Sequence, residues 1–464
     1  MRAHRILISL FAALAAGSAA VAQPALPQPG RVAPQSAASM KQSFAPVVRR
    51  AAPAVVNISA RSLVRPRTDP FWEFFGGGVP RARVATSLGS GVIVRPDGVI
   101  VTNNHVVQGG QEITVALADR REFPARILLQ DPRADLAVLK IEPPAGERLP
   151  TLSIDDTSDT EVGDLVLAIG NPFGVGQTVT NGIISALNRS VDPTGGEAVS
   201  AYIQTDAAIN QGNSGGALVD MDGDLIGINS FILSRSGTSS GVGFALPATV
   251  VRRVVETAVG GGRQVVRPWL GARLQSITPQ MAEALGLRAP TGAVVGDLWP
   301  GGSAQRAGLR AGDVITSIDG QPATDAASVI YAIGAHRPGE PVRIEVLRGG
   351  RTERLTLRAE APPATPARDE RVIQGQNPFD GATVVSLSPA LAEEQGLDPF
   401  GGGVLVTRVT RGYAANYLRQ GDIIRAVNGR AVRTTGELQS LAGAPAQGWE
   451  ITIERNGQTG TIRV

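Results

Sequence analysis

The 464-residue chain has the length of about three domains, contains no cysteine and carries 44 basic against 41 acidic side chains, a formal charge of +3. Without cysteine there is no thiol nucleophile, no disulfide framework and no thiolate metal site. A charge balance this close to neutral gives no support to nucleic-acid binding.

The first 22 residues read as a removable leader: Arg2 and Arg5 precede the apolar run ILISLFAALAAG, and Ala20-Val21-Ala22 fits a small-residue cleavage site. The run is short for a membrane span, and no lipid-attachment cysteine follows it, so a soluble exported protein is expected. Loss of the leader's two arginines lowers the charge to +1. Residues 23 to 43 are rich in Pro, Ala, Gln and Ser, a composition that buries too little surface to order itself, and are expected to form a mobile arm.

Folding should begin near Phe44. From Leu88 the chain runs in short apolar stretches, GSGVIV, GVIVTN, ITVAL, ARILLQ, LAVLKI, DLVLAIG, GIISAL, AYIQT, GALVD and LIGINS, at the spacing of an all-β barrel or sandwich. Pro96-Asp97-Gly98 and Asp222-Gly223 supply turns. Val250, Val251, Val254, Val255 and Ala258 then take up helical spacing behind Pro247, and Gly260-Gly261-Gly262 ends the helix. The remainder is an internal repeat: TPQMAEALGL at 278–287 matches SPALAEEQGL at 388–397, and AGDVITSIDG matches QGDIIRAVNG, offset by about 110 positions. The expected division is a β domain over 44–262, one module over 266–360, an Ala/Pro-rich linker over 361–378 and a second module over 379–464.

The chemistry concentrates in TDAAINQGNSGGALVD. Ser214 stands among Gly212, Gly215 and Gly216, where the backbone can approach a scissile carbonyl and offer N–H groups to its developing charge. Gly212, Asn213 and Ser214 are the candidate oxyanion-hole residues. A serine hydroxyl needs a base and the base needs an orienting acid. Of the three histidines, His4 lies in the leader and His336 in the repeat region, which leaves His105 in TNNHVV. Downstream, Asp131 and Asp135 are the candidate acids. Asp135 is preferred because it abuts LAVLKI and should be buried, whereas Asp131 precedes Pro132 and reads as a turn residue. No P-loop pattern occurs, and neither a metal nor another cofactor is expected.

TNNHVV, DLAVLKI, GNPFG, TDAAINQGNSGGALVD and GFALP, followed by two PDZ-like repeats, together resemble the HtrA (DegP/Do-like) family of serine proteases across roughly residues 45 to 464. The resemblance implies a mainly β fold, a chymotrypsin-like double β-barrel followed by two PDZ domains, and an ATP-independent endopeptidase in the periplasm that degrades unfolded proteins. A chaperone with a latent protease is the alternative. It implies that Ile209 and Asn229 wall the primary specificity pocket, whose lack of a buried acid favours a small aliphatic residue before the cut bond. Trp269, Leu270, Gly271 and Ala272 would form the first PDZ carboxylate-binding loop. The matching second loop, GATVVSLS, lacks that signature, so assembly or docking is an alternative role there. The FWEFFGGG cluster near Trp72 would join subunits, cover the active site or simply pack on its own domain, and the loop around Phe173 would switch activity. Partners would be unfolded polypeptides, peptide C-termini and copies of the chain in trimers or multiples of trimers.

Overall fold

The computed structural model describes residues 43–64, 83–154, 160–171, 176–190, 201–210, 212–232, 241–410, 412–445 and 448–464. The leader, almost all of the arm, the FWEFFGGG cluster, Phe173 and Gln211 lie outside the described residues. No described helix is long and apolar enough to cross a membrane.

Strands β1 (Val55–Val64), β2 (Arg83–Arg95), β3 (Val99–Asn103), β4 (Glu112–Ala116), β5 (Glu122–Pro124), β6 (Arg126–Asp131) and β7 (Leu136–Lys140) make a seven-stranded antiparallel sheet in the order β5-β4-β1-β2-β3-β7-β6. β3 and β7 read as nearly unbroken apolar runs because both of their faces are covered. The turn between β2 and β3 follows its sequence: Gly98 sits at φ +94° and its N–H donates to the Arg95 carbonyl. Strands β8 (Leu165–Gly170), β9 (Thr178–Ser190), β10 (Ala201–Thr205), β11 (Ala217–Val219), β12 (Leu225–Ile232) and β13 (Gly243–Pro247) close into a barrel in the order β10-β13-β12-β11-β8-β9. Closure of the second sheet settles what periodicity left open between barrel and sandwich.

Pro247 caps the helix Ala248–Val259, which buries Val251, Val254, Val255 and Ala258, and Gly261 at φ +77° follows its end. Val250, the remaining residue of the expected stripe, is only partly covered and faces a cavity described below.

The repeat folds as two modules of one topology. The first has β14 (Ala272–Ser276), β15 (Ala293–Leu298), β16 (Val314–Ile318), β17 (Gln321–Pro322), β18 (Pro341–Arg348) and β19 (Arg351–Arg358), ordered β14-β15-β16-β18-β19 with β17 on β16. The second has β20 (Glu370–Val372), β21 (Ala382–Ser386), β22 (Val404–Val409), β23 (Ile423–Val427), β24 (Arg430–Ala431), β25 (Glu450–Arg455) and β26 (Gln458–Arg463), ordered β20-β21-β22-β23-β25-β26 with β24 on β23. The repeated Thr-Pro and Ser-Pro dipeptides explain themselves: Thr278 and Ser388 each cap a short helix whose first residue is proline. Helices Ala326–Gly334 and Thr435–Ala442 both start with capping boxes, from Asp325 with Ser328 and from Thr434 with Glu437. One departure stands out: the stretch expected to be an unpatterned linker carries β20, which pairs with β21.

Each module also repeats one buried ion pair. The Asp313 carboxylate accepts from Arg348 at 2.7 Å and from the Arg310 N–H at 2.8 Å; Asp422 does the same with Arg455 and with the Arg419 N–H. These hydrogen bonds hold both guanidiniums more firmly charged than usual. Removing either carboxylate leaves a charged fork and a backbone N–H without their acceptor. Asp313→Ala or Asp422→Ala is therefore expected to lower the unfolding midpoint of its own module by roughly 10 °C in calorimetry, while the protease domain melts as before.

Candidate active site

The candidate groups arise on both β domains. His105 lies on a single helical turn, Asn104–Val107, directly after β3. Asp135 ends the turn Pro132–Asp135 just before β7, at φ +50°, a left-handed conformation that aspartate tolerates better than most side chains. Because β3 and β7 are hydrogen-bonded neighbours, with Asn103 opposite Leu136, the two residues that flank this register come together. The Asp135 carboxylate accepts from the His105 backbone N–H at 2.9 Å and from Nδ1 at 2.7 Å. Its backbone carbonyl accepts from the Asn104 N–H at 3.0 Å and from Asn103 Nδ2 at 2.9 Å. With Nδ1 donating to the carboxylate, Nε2 carries the free lone pair.

The expectation of a buried Asp135 is corrected: its side chain is 28% exposed and that of His105 48%. Asp131 is the buried acid. It completes β6, its carboxylate accepts from the Ala134 N–H at 3.4 Å and it pairs with Arg267 in the chain entering the first repeat module. Asp131 thus caps the turn, as its sequence setting suggested, and also ties two domains together.

Ser214 sits in the loop before β11. Gly212 at φ +100° and Gly215 at φ +83° hold conformations open to glycine. At Gly215 a side chain is excluded twice over, since a Cβ would stand 2.2 Å from the Ser90 carbonyl oxygen. The Asn213 N–H donates to the Asn210 carbonyl at 3.0 Å, whereas among the described residues no carbonyl accepts from the N–H of Gly212 or Ser214. Two of the three residues named for an oxyanion hole therefore keep an available donor. Among the described residues no hydrogen bond joins Ser214 Oγ to His105; the hydroxyl donates to the Ser230 carbonyl at 3.0 Å.

Two serines that the sequence did not single out hold the site together. Ser90, fully buried on β2, donates from Oγ to the Gly212 carbonyl at 2.6 Å, accepts there from the Asn171 N–H at 2.8 Å, and donates its own N–H to the Ser214 carbonyl at 2.8 Å. Ser230 on β12 offers its carbonyl to Ser214 and its Oγ to the Asp135 carboxylate at 3.4 Å. Nothing local marks either residue, because Ser90 meets Gly212 across 122 residues and Ser230 meets Asp135 across 95.

Ile209 and Asn229, expected as pocket walls, are buried inside the second barrel. Asn229 Nδ2 donates to the Ala217 carbonyl at 2.9 Å, and Ile209 packs where a side chain on Gly243 would otherwise go. Trp269 bridges to Glu360 and stacks edge-on with Trp299 and Phe400 at 5.7 and 5.4 Å. Leu270 is buried, Gly271 lies at φ +71° and Ala272 opens β14. Leu270, Leu274, Ile330 and Ile333 line a cavity of about 280 Å³, which Val250 and Val254 of the helix Ala248–Val259 and Phe400 of the second module also border.

The chain matches the trypsin-like peptidase domain family over residues 89–228 and the PDZ domain family over 268–358. It is 38% identical over 461 residues to a probable periplasmic serine endoprotease DegP-like protein of Ectopseudomonas mendocina, covering 93% of this chain and 92% of that protein. A protein of the same description from Marinomonas sp. is 38% identical over 422 residues, covering 86% and 88%. Among solved structures, the HtrA-type protease AlgW with decapeptide is 45% identical, with a TM-score of 0.52, covering 69% of this chain and 99% of that one. By its length-wide identity to these proteins and its succession of peptidase and PDZ domains, the chain belongs to the DegP-like, HtrA-type family of serine endoproteases.

Proposed function

We propose that this serine endopeptidase cleaves unfolded exported polypeptides through Ser214, His105 and Asp135, without nucleotide, and that its first PDZ domain holds substrate chain ends. The observation that carries the reading is the bidentate hold of Asp135 on His105, through Nδ1 and the backbone N–H together, at the interface that also seats Ser214. In the reaction His105 Nε2 takes the hydroxyl proton as Ser214 Oγ attacks the carbonyl carbon. The N–H groups of Gly212 and Ser214 receive the resulting oxyanion, each such donor lowering the barrier by about 3–4 kcal/mol, and the imidazolium then protonates the leaving amine. The exported location follows the relatives' description as periplasmic.

The Ser214 hydroxyl bond to the Ser230 carbonyl favours a second, coexisting reading, a latent resting form. Attack requires that the hydroxyl leave Ser230 and turn to His105. A chain that holds unfolded clients in this form and cleaves them after the switch would join chaperone and protease in one molecule. The cavity of about 280 Å³ beside Leu270 and Ile330 suits an apolar chain end, with β14 as the strand edge to which a peptide adds. Assembly into trimers or their multiples is part of the proposal.

Three outcomes are expected. Ser214→Ala should keep its melting profile and its suppression of client aggregation while casein cleavage falls at least about 10⁴-fold; residual cleavage at the parent rate would remove Ser214 from the mechanism. Ser90→Ala should lower kcat at least about tenfold with KM nearly unchanged, since it frees the Gly212 carbonyl rather than a substrate contact; Ser90→Thr, which keeps the hydroxyl, should recover part of kcat even where it does not recover stability. A peptide library should show Val or Ala before the cut bond, and a preference for Lys or Arg would overturn the shallow apolar pocket.

A further inference from the structure

The two repeat modules differ at one edge. In the first, β14 is the terminal strand of its sheet, and among the described residues no carbonyl accepts from the N–H of Gly271. The same position in the second module is Gly381, 110 residues on, in Phe379-Asp380-Gly381-Ala382 against Trp269-Leu270-Gly271-Ala272. Gly381 also lies at positive φ, +84° against +71°. Here, however, the edge is taken. The linker strand β20 runs antiparallel along β21, with Arg371 opposite Val384 and Val372 opposite Thr383. At its end Ile373 donates its N–H to the Ala382 carbonyl and accepts the Gly381 N–H on its own carbonyl, both at 2.9 Å.

Strand addition with a carbonyl oxygen on the loop glycine is how a chain terminus would sit in such a groove, the carbonyl standing where one carboxylate oxygen would be. The side chains agree. Ile373, 2% exposed, enters the core cluster that contains Leu438 and Ala442 of the helix Thr435–Ala442, the counterpart of the first module's groove helix. Two residues earlier, Arg371 donates to Gln439 Oε1 on that helix at 2.6 Å, and Asp369 accepts from Thr435 Oγ1 at 2.7 Å. Val372, between Arg371 and Ile373, is exposed to solvent.

We propose that the second module is a working peptide site closed by the chain's own linker, and that its ligand in trans is a polypeptide C-terminus with an aliphatic last residue and an arginine two positions before it. A tethered occupant acts at an effective concentration of order mM, so a free chain end at µM concentration enters only when the Ile373 anchor is weakened or when its affinity exceeds that of the linker. This extends the peptide-binding reading from the first module to the second, and adducts on different residues separate the two.

The test uses the full chain carrying Ser214→Ala and the peptide Asp-Glu-Arg-Val-Ile with a free carboxylate and an amino-terminal photo-crosslinker, adducts being mapped by mass spectrometry. Ile373→Ala should raise labelling of 379–384 and 435–442 at least about tenfold and Ile373→Asp further, while the carboxamide form of the peptide should lose that gain. Labelling of 270–276 and 326–334 reports the first module separately. If neither variant gains second-module adducts while β22 and β23 stay protected from hydrogen exchange, the proposal is overturned. Should a variant unfold, the parent chain decides: saturating peptide is expected to release the Ile373 amide to exchange, and an amide that stays protected with adducts confined to the first module overturns it equally.

Discussion

The nucleophile loop belongs to one β domain and is hung from the other. Ser90 on β2 takes the Gly212 carbonyl, the Ser214 carbonyl and the Asn171 N–H onto one fully buried residue. Three hydrogen bonds on this buried residue fix where Ser214 stands relative to β3 and β7, and hence relative to His105 and Asp135. The glycines follow from this constraint, because the loop comes so close to β2 that even a methyl group at Gly215 would meet the Ser90 carbonyl. An unsatisfied partner in such a place carries its full desolvation penalty, so the interface tolerates few substitutions on either side.

The two acids show how neighbouring carboxylates acquire different duties. Asp131 is enclosed at the end of β6 and neutralised by Arg267, which makes it a structural tie between the protease and the first PDZ domain. Asp135, four residues on and partly open to solvent, is held instead by two donors of His105, its backbone N–H and Nδ1. Asn103 and Ser230 complete this bracket, and Ser230 also receives the Ser214 hydroxyl. One residue therefore touches both ends of the candidate triad.

Much of this was legible in the sequence. Scarcity singled out His105, glycine crowding singled out Ser214, and the repeated Thr-Pro and Ser-Pro caps marked two copies of one module. What escaped was set by contacts distant in the chain. Ser90 meets Gly212 across 122 residues and Ser230 meets Asp135 across 95, and an isolated serine carries no sign of a partner that far away. The burial of Asp131 escaped for the same reason, since Arg267 covers it from 136 residues on. The linker strand escaped differently: three exposed residues ahead of one buried isoleucine show no strand period, and the pairing exists only because β21 offers an edge.

The central claim is that Ser214 is activated by His105 at this interface. A fluorophosphonate reports it most directly, because it phosphonylates a serine whose proton is being removed and leaves other hydroxyls untouched. One adduct is expected, on Ser214, forming at a rate that His105→Ala abolishes and Asp135→Asn sharply reduces. An adduct on another serine, or labelling of Ser214 that persists at the parent rate without His105, would contradict the account.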